Sequence, residues 1–310
     1  MKFAVEAWAS EYGSAMEDAV ALATPESPPD VNVEVPAERW APRRPPPGPP
    51  ADAVLFTDGV RRIDARVWID DGDGGARLGV CASYAAGIVR TEGPRAWVTA
   101  IDVQRGLFTA AAGAETVTTR HGRYTVRAAA AEGPDQLALA VQQRMGELEV
   151  ELALASQACT GTGELIVVDG PLRGRQHVDN AIGYVKTHHV AYLPPLVEGV
   201  VGLLSAGERT PLFLTTTSWS RYSWYLRLPG PIGHPWAGVV RCEASADLEP
   251  AAAVALADLA TSTLPRFASQ GHKDPRAPQN LYPIAGLERA LRHRLGDPQL
   301  LYRALRLAAA

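Results

Sequence analysis

Two stretches, Val54-Leu55-Phe56-Thr57-Asp58-Gly59 and Leu165-Ile166-Val167-Val168-Asp169-Gly170, share one design: a hydrophobic run that ends in Asp-Gly. A run of β-branched and aliphatic residues reads as a buried strand. A glycine directly after the aspartate lets the chain turn sharply at the strand's end. Each run then presents one carboxylate at the edge of a sheet. If the two strands are neighbours, the carboxylates converge, and converging carboxylates repel unless a cation lies between them. Hard divalent ions such as Mg²⁺ and Mn²⁺ take oxygen ligands, so the pair points to a metal-dependent phosphoryl-transfer site. The alternative is that Asp-Gly is simply a common strand-to-turn ending.

The composition around these runs suits a large α/β domain. The chain has 310 residues, 46% of them hydrophobic, and a formal net charge of −4. That charge gives no global signal for nucleic acid, although a basic groove can exist on an acidic protein. Lysine occurs only at Lys2, Lys186 and Lys273, so the basic residues are nearly all arginine. Cys81, Cys159 and Cys242 are scattered and show no metal-binding spacing, which suits a reducing compartment. The start, Met1-Lys2-Phe3-Ala4-Val5-Glu6, is not a signal peptide. No apolar run approaches the roughly 20 residues of a membrane span. The expectation is a soluble, cytoplasmic protein that makes no use of a membrane.

Three segments follow from the pattern along the chain. Residues 1–24 contain an amphipathic helix over 3–23, with Phe3, Trp8 and Tyr12 on one side. Residues 25–53 are a proline-rich linker, ending in Pro45-Pro46-Pro47-Gly48-Pro49-Pro50. Residues 54–310 form the main domain. Within it, the first Asp-Gly run, an alternating strand over Arg62–Ile69 and a strand over Ala76–Arg90 imply an antiparallel meander. Residues 96–130 read as a β-rich insertion with a hairpin at Arg120–Arg123. From Pro134 to about Ala158, Leu137, Val141, Met145, Leu148, Leu152 and Ala155 form a helical apolar stripe. After the second Asp-Gly run, Ala181–Lys186 is a short strand and Leu193–Leu204 is helical. Pro211–Leu228 and Trp236–Glu243 are strands. Pro250–Phe267 is an alanine-rich helix, and two helices close the tail.

Meander, crossover helix, then a strand beside the first: that order is the RNase H-like arrangement, an α/β fold with a mixed sheet and flanking helices. In that fold one acid comes from the first strand, one from the crossover helix and one from the fourth strand. The helix offers Glu147, Glu149 and Glu151. At about 100° per residue, Glu149 lies roughly 70° from the centre of the apolar stripe, at the edge of the buried face. Glu151 lies about 90° away on the other side, and Glu147 further still. Glu149 is therefore the expected third carboxylate. The alternative is that all three are solvated, with Arg144 as their ion-pair partner.

At this point the chain resembles the NurA nucleases, which are RNase H-like, Mn²⁺-dependent and act with the HerA hexameric ATPase in DNA end processing. The resemblance rests on Asp58-Gly59, Asp169-Gly170-Pro171-Leu172, Ile182-Gly183-Tyr184-Val185-Lys186 and Tyr282-Pro283-Ile284-Ala285-Gly286-Leu287-Glu288. It implies a metal-dependent deoxyribonuclease in end resection and double-strand-break repair, with Asp58, Glu149 and Asp169 as catalytic metal ligands. It places Lys186 beside the scissile phosphate, where an ammonium offers a point charge; a snorkelling surface lysine is the alternative. It implies DNA, a HerA-type ATPase and a second copy of the chain as partners. The family commonly carries Pro-Leu and then a histidine in the tail. Here Pro283-Ile284 is followed by Glu288, whose carboxylate would be the fourth ligand to Mn²⁺ or Mg²⁺.

Further residues extend the expectation. Arg61, Arg62, Arg173 and Arg175 follow the two Asp-Gly pairs and would line a phosphate-binding groove, or else sit in ordinary solvated loops. Trp219, Tyr222, Trp224 and Tyr225, with Arg221, would be a platform for stacking single-stranded bases, although strand alternation makes half of them core. Of His188 and His189, at most one could face the site. The competing function is an inactive RNase H-like module that binds a hexameric ATPase without cleaving DNA. There is no Gly-x-Ser-x-Gly elbow, Walker loop or His-Glu-x-x-His helix.

Overall fold

The computed structural model describes residues 3–5 (backbone only), 28–70, 75–157, 163–186, 192–217, 219–231, 235–274 and 276–309. Strand β1 is Phe3–Val5, β2 Ala53–Asp70, β3 Ala76–Glu92, β4 Arg95–Thr109, β5 Val117–Thr119 and β6 Gly122–Ala128. Helix α1 spans Pro134–Gln157, followed by β7 Glu164–Asp169, β8 Ala181–Val185 and α2 Pro195–Leu203. Then come β9 Phe213–Thr216, β10 Ser220–Arg227, β11 Val239–Ser245, α3 Pro250–Thr263, α4 Tyr282–Arg294 and α5 Pro298–Ala309. The strands join into one mixed sheet in the order β5-β6-β4-β3-β2-β7-β8-β11-β10-β9, with β1 also paired to β2.

The centre of that order, β4-β3-β2-β7-β8, is the expected RNase H-like arrangement. β2, β3 and β4 pair antiparallel, whereas β7 lies parallel to β2 and β8 parallel to β7. A parallel neighbour needs a crossover, and α1 supplies it between β6 and β7. The sheet is covered on both faces. Val54 and Phe56 of β2 pack with Leu287 and Leu291 of α4 and with Leu256 of α3, while Leu55, pointing the other way, packs with Ala153 of α1. Further along, Leu137, Val141, Met145 and Leu148 of α1 lie on Ile63 and Tyr84. Two buried faces explain why these strands read as nearly continuous apolar runs.

Several sequence expectations need correcting. β2 does not stop at Asp58-Gly59 but runs on to Asp70, absorbing the separate strand expected over Arg62–Ile69. The ladder continues because every residue from Ala53 to Ile63 finds a partner on β3. A bulge between Ile63 and Ala65 turns Asp64 inward, where it accepts hydrogen bonds from the Ser83 hydroxyl, from Tyr124 at 2.9 Å and from Arg62 Nε at 2.9 Å. Phe3–Val5 is a strand rather than the start of a helix; it pairs with Val67–Ile69. The rest of the expected N-terminal helix lies outside the described residues. Pro211–Leu228 is a hairpin, β9 and β10, not one strand.

The segment expected as a tether is held against the molecule. Asp30 bridges Leu214 and Arg43 bridges Arg209. Glu34 receives Arg209 in a two-pronged ion pair at 2.8 and 3.0 Å, and Arg209, fully buried, also reaches Asp258. Trp40 donates its indole N–H to the Val31 carbonyl at 2.8 Å.

Candidate active site

The two acids of the opening stretches meet. The parallel β2–β7 ladder pairs Val54 through Thr57 with Leu165 through Val168, so Asp58 and Asp169 occupy the next step on each strand, at the same end. The carboxyl of Asp58 is held well above the usual carboxylate range, first by burial and then by the charges of Asp169 and Glu149. That mutual repulsion is the signature of acids sharing one site. Asp58 Oδ1 accepts a hydrogen bond from the Gly59 N–H at 2.8 Å. Asp169 Oδ2 accepts one from Lys186 Nζ at 2.7 Å, whereas its Oδ1 is buried with no hydrogen-bond partner.

Glu149 comes in from α1 on the phase the stripe gave it. It is 7% exposed, while the side chains of Glu147 and Glu151 are 65% and 54% exposed and both pair with Arg144. The solvated alternative thus describes Glu147 and Glu151 but not Glu149. Gly59 is what admits it. A β-carbon at Gly59 would lie 2.2 Å from Glu149 Oε1 and 3.0 Å from Met145 Cγ. The first glycine therefore serves close approach inside a strand, not a turn. Only the second, Gly170, has the positive φ of a turn, +99°. Burial pushes the Glu149 carboxyl up to about 7, with Arg175 opposing and Asp169 adding to the rise.

Arg175 is the neighbour that sequence reasoning placed in a groove. Instead it is buried and forms an ion pair with Glu149 Oε2. Its remaining contacts are long, to the carbonyls of Pro171 at 3.4 Å and Gly146 at 3.5 Å, and its Nε has no partner. Lys186, by contrast, is doubly held. Besides Asp169 it reaches Asn280 Oδ1 at 3.2 Å, and Asn280, fully buried, donates its Nδ2 to Asp274 at 2.6 Å. Asn280 was not legible in the sequence: it belongs to no motif, and only the packing of the 270–280 loop brings it to β8. Tyr184 anchors that loop with a hydrogen bond to the Gln279 carbonyl at 2.7 Å.

The turn after Asp169 is seated by a second set of residues the sequence did not single out. A β-carbon at Gly183 would lie 2.5 Å from the Leu172 nitrogen, so the turn can cross β8 only over a glycine. The Leu172 N–H donates to the wholly buried Glu243 carboxylate at 3.0 Å. Glu243 also receives Arg221 and Arg241, each at 2.9 Å. The Arg241 guanidinium lies 4.2 Å from the centre of the Tyr192 ring.

The other expected residues are placed as follows. Glu288 is held by Arg276 at 2.9 Å and Arg292 at 3.0 Å; although burial opposes it, these pairs leave its carboxyl below the ordinary value. Arg61 donates to Gln142 of α1 at 2.6 Å. Arg62 binds Asp64 and the Gly296 carbonyl, the latter at 2.8 Å. Arg173 is exposed. Tyr222, Trp224 and Tyr225 are buried, because β10 is covered on both faces, so they form no stacking platform. Trp219 is partly buried, with Arg221 5.1 Å from its ring centre. His188 and His189 lie outside the described residues.

Asp58 and Asp169 fit a hard divalent cation: two oxygen donors on adjacent strands just past the end of their shared ladder, mutual repulsion, and a buried carboxylate oxygen without a partner. Among the described residues no three His, Cys, Asp or Glu side chains are grouped so as to hold one ion together. Glu149 is engaged by Arg175 and Glu288 by two arginines. No helix among the described residues is long and apolar enough to cross a membrane.

No protein-family model matches the chain, and no curated protein matches it. Among solved structures it is similar to the NurA nuclease from Sulfolobus solfataricus, at 11% identity and a TM-score of 0.49, over 84% of this chain and 86% of that one. It is also similar to human endonuclease V, at 15% identity and a TM-score of 0.34, over 79% of this chain and 84% of that one. A third likeness is to the catalytic domain of human endonuclease V, at 16% identity and a TM-score of 0.34, covering 79% and 82%.

Proposed function

We propose that the chain is a divalent-metal-dependent nuclease that hydrolyses DNA phosphodiester bonds at the Asp58–Asp169 site. The observation that carries this reading is the convergence of the two carboxylates one step past the end of the β2–β7 ladder, with Asp169 Oδ1 buried and unpartnered. Asp58 and Asp169 would hold Mn²⁺ or Mg²⁺, with Glu149 beside them. When bound, such an ion supplies Lewis-acid charge that lowers the pKa of a water and stabilises a leaving oxygen. The chain's own residues do the rest. Lys186, steadied by Asn280, offers an ammonium to a phosphate oxygen beside the acids. Arg173, exposed on the turn after Asp169, offers a second cation to the DNA backbone. The turn itself is fixed by Glu243 through the Leu172 N–H. Glu288 is an auxiliary ligand in this reading, reached by exchanging its arginine partners.

The finer role, DNA end processing with a HerA-type hexameric ATPase and with a second copy of the chain, rests on the sequence resemblance to NurA nucleases. The test is cleavage of labelled linear duplex and single-stranded DNA by purified protein with Mn²⁺, with Mg²⁺ and with chelator. Wild type should cut only with metal, and Asp58→Asn and Asp169→Asn should remove most activity while keeping a wild-type circular dichroism spectrum. Cleavage by both variants at the wild-type rate would refute the reading. An uncut substrate together with binding of the ATPase would favour the inactive assembly module instead.

A further inference from the structure

We propose that Arg175 is an internal counter-ion that occupies Glu149 until a divalent cation binds at Asp58 and Asp169, so that Glu149 joins that ion only by releasing Arg175. The inference rests on the reading of the site given above. Three acids meet two internal cations here: Lys186 pairs with Asp169, and Arg175 pairs with Glu149. Asp58 has no ion-pair partner among the described residues, and its hydrogen bond comes from the Gly59 N–H. With all three acids ionised, as a bound cation would have them, the cluster is one positive charge short. A divalent ion brings two. Once it is present, one of the internal cations is in excess, and like charges at this spacing in a buried site repel strongly.

The geometry selects which cation gives way. Lys186 is anchored a second time by the buried amide of Asn280, itself held by Asp274. Arg175 has no comparable second anchor: its other contacts are two carbonyls at 3.4 and 3.5 Å, and its Nε is unpartnered. It also sits in a turn closed by local bonds, from its own N–H to Leu172 and from Val178 back to it. Gly174 beside it has a φ of +79° and a position open enough that an added β-carbon would touch only Val150, at 3.6 Å. Arg175 belongs to no strand, so moving its guanidinium breaks no sheet hydrogen bond. Glu149 stays where it is, its Oε1 against Gly59, with its Oε2 freed.

The test is Mn²⁺ binding, read from the electron paramagnetic resonance of the free ion, with no substrate present. Arg175→Gln is measured in two backgrounds, wild type and Glu149→Gln. A resident counter-ion acting through Glu149 makes Arg175→Gln bind Mn²⁺ about tenfold more tightly, or more, in the wild-type background. The same substitution changes affinity less than about threefold when residue 149 is Gln. Equal tightening in both backgrounds would mean that Arg175 acts only as a distant charge, and would overturn the proposal. So would unchanged or weakened binding in Arg175→Gln. If Arg175→Gln fails to fold, Arg175→Lys replaces it. That variant exchanges the fork for a point charge, and the same dependence on residue 149 is expected with a smaller tightening. Asp58→Asn separates the proposal from its premise. If it binds Mn²⁺ as wild type does, the ion lies elsewhere and both readings fall. If it loses the ion while Arg175→Gln is unchanged, only the counter-ion role falls.

Discussion

Gly59→Ala perturbs the site with a single carbon. The new β-carbon would stand 2.2 Å from Glu149 Oε1, where ordinary contact begins at about 3.4 Å, and 3.0 Å from both Glu149 Cδ and Met145 Cγ. The carboxylate must retreat by roughly 1 Å or β2 must bow. Neither is free, because Glu149 is buried against Arg175 and β2 is paired to β3 at Gly59 and to β7 up to Thr57. Overpacking of this kind costs about 1–3 kcal/mol, offset by about 0.4–1 kcal/mol because alanine restricts the unfolded chain. The net loss of about 1–2 kcal/mol should lower Tm by a few degrees. Function should suffer more than stability, since a 1 Å misplacement of a catalytic group can cost on the order of 100-fold in rate. Differential scanning fluorimetry and Mn²⁺-dependent DNA cleavage read the two effects. Making the substitution in a Glu149→Ala background removes the closest obstacle and leaves only the 3.0 Å approach to Met145 Cγ, so the added methyl should then cost less in stability than it does in the wild-type background. Wild-type Tm and wild-type cleavage in the single variant would refute the placement of Glu149 against this strand.

Stability should also depend on pH in an unusual sense. Asp58 and Glu149 both carry carboxyl pKa values raised by the fold, so the folded chain binds protons more tightly than the unfolded chain. In chelator, stability should therefore fall as pH rises through the window from 4.5 to about 7 set by Glu149, by on the order of 3 kcal/mol for that group. Glu149→Gln should flatten the slope of Tm against pH, and Asp58→Asn should raise Tm at pH 7; an unchanged slope in Glu149→Gln would contradict the assignment. Glu34, Asp274 and Glu288, whose carboxyls are lowered, act in the opposite sense and at more acid pH. Away from the site, Arg209→Met should leave Glu34 with only Arg43 as ion-pair partner and Asp258 without Arg209, and cost about 1–3 kcal/mol. Limited proteolysis should then cut within residues 28–50 sooner than in wild type; equal rates would mean that the ion pair does not hold this segment down.

The sequence made the centre of the fold legible because its signals were local and repeated. Two apolar runs ending in Asp-Gly gave β2 and β7, and the stripe from Leu137 to Leu148 gave the crossover helix and the phase of Glu149. What it hid depended on contacts between distant segments. Asp58-Gly59 and Asp169-Gly170 look alike, yet one glycine lies within a strand facing a helix and the other turns the chain. Nothing local distinguishes them, because the difference lies in α1, more than eighty residues after Gly59. Arg175 reads as a loop cation until the turn folds back on α1. Asn280, Glu243 and Asp64 are single polar residues in no pattern, and burial alone gives them partners. The aromatic residues of β10 hide their burial because alternation suggests one wet face, whereas this strand lies between two layers.

The joint hold of Asp58 and Asp169 on a divalent cation is tested most directly by anomalous diffraction from crystals of the wild-type protein grown with Mn²⁺. The account expects one strong peak at about 2.1 Å from a carboxylate oxygen of each aspartate, close to the distance hard ions of this size take, with Asp169 Oδ1 as one of those oxygens. A peak bound to other side chains, or none at these two while Mn²⁺-dependent cleavage persists, would contradict it.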